Sequence, residues 1–401
     1  MSEWSRRSFL ASVAASLVHA AEPVIDIHQH TNYAGRSDDE LIAHQTKMGV
    51  TRTVLLPSGS QYGLDVGAGG NDSVVALAGR HPEKFSYFAN EVPDLAGARQ
   101  VLEKYLKLGA IGIGEQKFPV ECDSPAIHMV AEVAEEFGVP ILLHFQHAKY
   151  NMGIERFHTV LEKHPRVNFI GHAQTWWGNI DRNHQPEVMY PKTKVAPGGI
   201  TDRLLSDYPN MFGDLSAGSG LNALLRDEDH AQGFLARHQD KLLFGSDCDD
   251  RVGEGAACSG SRCLATIRRL APTAGIATKI VYGNAARLLR LKLPERRKLR
   301  RGAAQLHFAD DLTFVHRTLH FTLEVIVHQL ERELEWAGRL AGYDLKGDLL
   351  AVHFAVADGT LVAATGAAHL TGNGTRFLHQ FNLHLGRRPG VFDVNGTGPF
   401  P

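Results

Sequence analysis

Cysteine is scarce in this chain. Cys122, Cys248, Cys258 and Cys263 are its four cysteines, in 401 residues. They are too few and too scattered for a disulfide scaffold, and no CxxC pair occurs. Structural thiols are the simplest reading. A Cys258–Cys263 bridge is the alternative if the chain is exported. Charge of one sign is also lacking, with 42 Lys+Arg against 44 Asp+Glu. No stretch before residue 294 is strongly basic, which argues against nucleic acid as the main partner. Long apolar runs are missing too. The run from Phe9 to Val18 is too short to span a bilayer, and no later segment reads as a membrane helix. No glycine-rich phosphate loop follows His30, so an open dinucleotide-binding sheet is disfavoured.

What is present is more specific. Apolar residues make up 43% of the chain, enough for a sizeable core. The length allows one large domain or two to three small ones. Histidine is plentiful, at 22. Ser5-Arg6-Arg7-Ser8-Phe9-Leu10, the apolar run and Val18-His19-Ala20 together read as a twin-arginine signal peptide over residues 1–20. The expected partner is then the twin-arginine export machinery, and the expected location is the periplasm or the exterior. That route carries folded proteins, which suits an enzyme loaded with its metal beforehand.

Past the signal, β-rich runs alternate with helix-like stretches. The strand candidates are Val24–His30, Arg52–Pro57, Phe85–Asn90, Ala110–Phe118, Pro140–Gln146, Val167–Gln174, Met211–Ala217 and Leu242–Asp249. Helical patterns cover Ala96–Leu108, Pro125–Phe137, Ile154–Lys163 and Leu221–His238. Alternating units predict a parallel α/β sheet. Eight of them over residues 22–291 predict a closed (β/α)8 TIM barrel. Gly49 and Gly138, each followed by valine, predict left-handed helix caps.

The chain changes character near Pro294. Glu295–Arg301 is a basic run, 312–343 a candidate helix, and Leu349–Gly366 a candidate hairpin about Asp358-Gly359. The histidines of this region form no ligand spacing. His316 and His320 are four apart without the glutamate of HExxH. Residues 294–401 are either a fused accessory domain or an out-of-frame or read-through extension that does not fold. The abrupt change of composition favours the second.

The chemistry begins at Asp26-Ile-His28-Gln-His30. Alternate strand residues share a face, so His28 and His30 can grip one ion, with Asp26 on the same side one step deeper. The pair alone is a weak motif. Its company strengthens it: His144 ends the fifth strand candidate, His172 the sixth and Asp247 the eighth. Barrels place their sites at such strand ends. Imidazoles with a carboxylate suit zinc or a similar divalent ion.

In His28/His30, His144, His172 and Gly245-Ser246-Asp247 the sequence resembles the amidohydrolase superfamily, and within it the amidohydrolase-related (amidohydrolase 2) family, over about residues 22–291. The resemblance implies a distorted TIM barrel with one or two divalent metals. It implies His28, His30, His144 and Asp247 as ligands, and His172 as a second-metal ligand or a substrate-polarising histidine. Asp247 would also take the proton from water. On the fourth strand candidate, Glu115 is the expected bridging ligand; Lys117 shares its face and is a candidate substrate contact. His147, Trp176 and Trp177 follow their strands on loops and are candidate walls of a substrate pocket. Asp214 ends the seventh strand candidate, and Arg226 with His230 could bind a carboxylate.

The expected activity is hydrolysis of a small ester, lactone or amide by metal-activated water. The alternative is metal-dependent, non-oxidative decarboxylation of a small aromatic or unsaturated acid. A non-catalytic exported metal-binding protein is a third, remote reading. A homodimer is a reasonable assembly for the family.

Overall fold

The computed structural model describes residues 22–59 and 67–291, and in the C-terminal part the backbone of 350–357, 360–370, 376–384 and 394–395. The twin-arginine stretch, the basic run and the expected helix over 312–343 lie outside the described residues.

All eight expected strands form in the N-terminal unit. They are β1 (Ile25–Gln29), β2 (Arg52–Leu55), β3 (Phe85–Tyr87), β4 (Ile113–Gln116), β5 (Ile141–His144), β6 (Phe169–His172), β7 (Met211–Asp214) and β8 (Leu242–Leu243). Every pairing between neighbours in these sheets is parallel. The strands run β1-β2-β3 in one sheet and β4-β5-β6-β7-β8 in the other. Two seams turn the sheets into a ring. At one, Ala89 N–H donates to Gly112 O at 2.9 Å and Gly114 N–H to Ala89 O at 2.9 Å. At the other, Ile27 N–H donates to Phe244 O at 3.1 Å and Asp247 N–H to His28 O at 2.8 Å. The result is a TIM barrel.

Strand alternation sorts the apolar residues. Ile25, Ile27, Val54, Leu56, Phe88, Leu142, Ile170, Phe212 and Leu243 pack together as the barrel filling. The other strand faces, such as Leu55, Leu143, Phe169 and Phe244, pack with the helices. β4 adds no side chain to the filling. Its Gly114 lies so close to Leu142 that a Cβ would meet the Leu142 carbonyl oxygen at 2.7 Å.

The helices obey their local signals. Asp38–Met48 starts with a reciprocal capping box between Ser37 and Glu40 and ends at Gly49 with φ +79°. Pro125–Phe137 ends at Gly138 with φ +64°, as its glycine predicts. The helix expected over 221–238 is instead two, Ala217–Leu225 and Glu228–Arg237. Asp227 divides them because its side chain caps the second, accepting from His230 N–H at 3.3 Å.

The C-terminal unit holds a four-stranded antiparallel sheet in the order β12-β11-β10-β9, from β9 (Leu350–Ala357), β10 (Thr360–Leu370), β11 (Arg376–His384) and β12 (Val394–Asn395). β9 and β10 pair from Thr360↔Ala357 to Ala367↔Leu350, the hairpin that the sequence predicts.

Candidate metal centre

The C-terminal ends of β1, β4, β6 and β8 bring His28, His30, Glu115, His172 and Asp247 together. Glu115 lies at the centre. Its Oε2 is 3.6 Å from His28 Nε2 and 3.8 Å from His30 Nε2, and its Oε1 is 3.7 Å from His172 Nε2. Asp247 completes the ring, with Oδ1 at 3.7 Å from His28 Nε2 and 3.5 Å from His30 Nε2, and Oδ2 at 3.4 Å from His172 Nε2. These gaps are longer than good hydrogen bonds. They come close to the roughly 3.3–3.5 Å between N and O ligands around one tetrahedral ion.

The far side of each ring is held. His28 Nδ1 lies 2.7 Å from Asp214 Oδ2, His30 Nδ1 2.7 Å from Leu56 O, and His172 Nδ1 2.9 Å from Ser216 Oγ. Such outer partners aim the Nε2 atoms inward, as metal-bound histidines require. His28 Nε2 is buried and has no hydrogen-bond partner among the described residues. An orphaned, aimed nitrogen among carboxylates fits a divalent cation. His144, also an expected ligand, stands to one side. Its Nδ1 contacts Glu115 Oε1 at 2.5 Å, and its Nε2 faces Gln146 Oε1 at 3.3 Å.

The electrostatics agree with an anionic pocket. Burial pushes both the Glu115 and Asp247 carboxyls up, but the surrounding histidines outweigh it and hold both well below the usual range. His28 is pushed down by burial, yet Asp247, Asp214 and Glu115 carry it well above its ordinary value. Burial lowers His144, and Glu115 only partly offsets this.

Two strands depart from simple alternation, and both carry donors. β1 slips against β2 between Asp26 and Gln29. Ile25 and Ile27 face the filling, and His28 then faces the mouth instead of the helices. Asp26 is therefore not the deeper neighbour of the His pair. It faces the helical layer, where Gln45 donates to it at 3.0 Å and Ser246 N–H at 2.8 Å. β4 slips between Ile113 and Gln116, and Glu115 turns inward. Bulged strands recur beside active sites because they re-aim a side chain.

The remaining candidates are scattered. Asp214 lies at the mouth as expected, but behind His28. Lys117 is half-buried with Nζ 5.8 Å from the Tyr150 ring centre. His147 is exposed at the rim of a cavity of about 400 Å³ that Gln146, Asn151, Arg156 and Thr175 also line. Trp176 and Trp177 are not among the residues that line this cavity. Both are buried: Trp176 stacks on Phe145 with centroids 5.8 Å apart, and Trp177 Nε1 donates to Asp214 O at 2.8 Å. Their short helix, Gln174–Gly178, turns them into the layer beneath the loops. Arg226 is buried near Asp181, at 3.7 Å, with no carboxylate partner any closer among the described residues. Cysteines 258 and 263 are not bridged; Cys263 donates to Leu215 O at 3.0 Å.

Sequence reasoning missed Tyr33. Its hydroxyl donates to Asp247 Oδ1 at 3.0 Å. Burial first, then Asp247 and Glu115, hold this phenol far above its ordinary value, so it stays a donor. Its place just after His30, on the first loop at the barrel mouth, was the available signal. Ser216 was missed as well, since nothing local marks a serine that supports histidines 28 and 172.

The model of the amidohydrolase family (Amidohydro_2) matches residues 25–291. No curated protein matches. Among solved structures, the chain is similar to an uncharacterised TIM-barrel protein from Bordetella bronchiseptica, at 17% identity over 67% of this chain and 98% of that one, with a TM-score of 0.48. It is similar to 2,6-dihydroxybenzoate decarboxylase from Rhizobium, at 14% identity over 67% and 99%, with a TM-score of 0.47. It is also similar to an amidohydrolase from Burkholderia multivorans, at 13% identity over 67% and 99%, with a TM-score of 0.48.

Proposed function

The chain belongs to the amidohydrolase family and is a metal-dependent enzyme of it; from that premise, we propose that it hydrolyses a small ester, lactone or amide. The observation that carries this reading is Glu115. Its two oxygens face two different donor sets, His28 with His30 on one side and His172 with His144 on the other. A carboxylate so placed can be shared by two ions, and zinc suits the N and O donors. Divalent ions held there supply Lewis acidity, which acidifies water and polarises a carbonyl.

The protein's own groups do the rest. Asp247 is the acceptor for the proton of the attacking water, because it lies at the open side of the set with its side chain 11% exposed. It then returns that proton to the leaving oxygen or nitrogen. Tyr33 fixes the Asp247 carboxylate through Oδ1, leaving Oδ2 for the transfer. His172 sits beside Oδ2 and orients the substrate carbonyl. His147, at the cavity rim, and Lys117 contact the rest of the substrate. The twin-arginine start supports export of the folded chain. A reporter fused after residue 21 should lose transport when Arg6 and Arg7 are changed to lysine.

The reaction is tested on the purified, zinc-loaded chain with panels of lactones, esters and amides beside aromatic carboxylates, while carbon dioxide is followed. Hydrolysis of at least one panel member is expected. Carbon dioxide release from an aromatic acid, with no hydrolysis anywhere, would replace this reading with decarboxylation.

A further inference from the structure

A second group of metal-type donors lies beside the first and takes no part in it. His44 comes from the helix Asp38–Met48, Cys248 and Asp250 from the segment after β8, and Cys258 from the N-cap of the helix Ser259–Leu270. All four donor atoms lie within 4.8 Å of one another. The histidine and both cysteines are buried, and the Asp250 side chain is only 13% exposed. We propose that His44, Cys248, Asp250 and Cys258 form a closed, four-ligand zinc centre that staples the segment after β8 to the first helix.

The spacing carries the argument. Cys248 Sγ and Cys258 Sγ are 3.6 Å apart. His44 Nε2 lies 3.4 Å from Cys248 Sγ, 3.6 Å from Cys258 Sγ and 3.2 Å from Asp250 Oδ2. With Zn–S near 2.3 Å and Zn–N or Zn–O near 2.0–2.1 Å, a regular tetrahedron has edges of about 3.8 Å for S···S, 3.6 Å for S···N and 3.3 Å for N···O. The four measured edges fall within about 0.2 Å of these values. Four protein donors fill the tetrahedron, so this centre is structural and leaves no position for water or substrate.

A second observation points the same way. Arg36 is buried, yet no carboxylate forms an ion pair with it among the described residues. Its guanidinium donates to Asp250 O at 2.7 Å and to Gln29 Oε1. Gln29 in turn donates to Cys248 O at 2.9 Å. A buried cation needs a nearby anion. Zinc with two thiolates, one carboxylate and a neutral imidazole carries one net negative charge and supplies it. Binding releases two thiol protons to solvent. Ser261 N–H already points at Cys258 Sγ from 3.2 Å, at the start of a twelve-residue helix, where a thiolate is favoured.

The test uses the full-length chain loaded with cobalt(II) in place of zinc. Only this centre contains sulfur, so an intense near-ultraviolet thiolate-to-cobalt band reads it alone. The band is expected in the parent protein and in His30→Ala, and lost in Cys258→Ser. X-ray absorption of the zinc-loaded protein should show sulfur neighbours at about 2.3 Å. Absence of the band in a folded, cobalt-loaded parent protein would overturn the proposal, with no variant needed. So would a Cys248–Cys258 disulfide found by mass spectrometry in the metal-replete protein.

Discussion

The two donor clusters are close in the fold and opposite in construction. The mouth gathers nitrogen and oxygen from four strand ends, spread from His28 to Asp247. The thiol cluster gathers two sulfurs, a nitrogen and an oxygen from one helix and one short stretch of chain. At the mouth, four side chains surround Glu115, and Asp247 is the most exposed of them. At the thiol cluster four donors close on themselves. Exposure does not separate the two, since the Asp247 and Asp250 side chains are 11% and 13% exposed; donor type does, because the set without sulfur leaves Asp247 for proton transfer whereas one ion takes all four donors of the set with sulfur.

The comparison can be broken by variants that should hit one cluster and leave the other. Asp247→Asn should lower kcat/KM about 10³-fold, as expected for loss of a positioned proton acceptor, with the circular dichroism unchanged. Activity within tenfold of the parent would remove Asp247 from the chemistry. Cys258→Ser should act on stability. If zinc stands a thousandfold above its dissociation constant, the centre adds about 4 kcal/mol, or roughly 10 °C of Tm in a protein of this size. Calorimetry with and without chelator checks it, and equal midpoints for variant and parent would contradict a structural metal. Tyr33→Phe removes one hydrogen bond to a carboxylate, worth about 1.5–3 kcal/mol. Its kcat should fall about tenfold or more while the cobalt–thiolate band stays; a lost band would show that the clusters are not separate.

The smallest effect belongs to a carboxylate outside both clusters. Asp202 faces His238 Nε2 at 2.6 Å and Arg237 at 3.1 Å. Burial raises its carboxyl, but His238 and Arg237 outweigh that and hold it below the usual range. A depressed carboxyl stabilises the fold above its unfolded-state value and loses that contribution as pH falls through the folded-state value. Asp202→Asn should therefore cost about 1–2 kcal/mol at neutral pH, and the gap to the parent should close in acid. Thermal melts from pH 7 to pH 3, with chelator and without, would show a gap indifferent to metal. A gap that tracks the chelator would tie Asp202 to a metal centre after all.

Much of the mouth was legible in the sequence because alternation holds in the later strands. His144, His172, Asp214 and Asp247 each stand where counting from the apolar residues of β5 to β8 puts them. It failed at Asp26, because β1 slips between Asp26 and Gln29 and counting cannot see a slip. The tryptophan pair follows a strand, and a single helical turn there buries both rings, which the sequence pattern alone does not announce. All four cysteines are free thiols, as the main reading of the sequence has them, and the alternative Cys258–Cys263 bridge is not formed. Cys258 is closer in sequence to Cys263, yet the fold of the segment after β8 brings Cys248 to 3.6 Å from it. Tyr33 and Ser216 act through partners far away in sequence, and no local pattern announces such contacts.

The seam between β1 and β8 has a consequence for how the protein is made. His28 and His30 lie on the first strand and Asp247 just beyond the last, and the seam bonds Ile27 to Phe244 and Asp247 to His28. A chain emerging from the ribosome exposes its two histidines some 217 residues before the carboxylate that faces them. No nascent fragment can hold the complete donor set. The thiol cluster has the same timing, since His44 waits for Cys258. An ion held by the donor set at the mouth would therefore be acquired late in biogenesis and would reward ring closure itself.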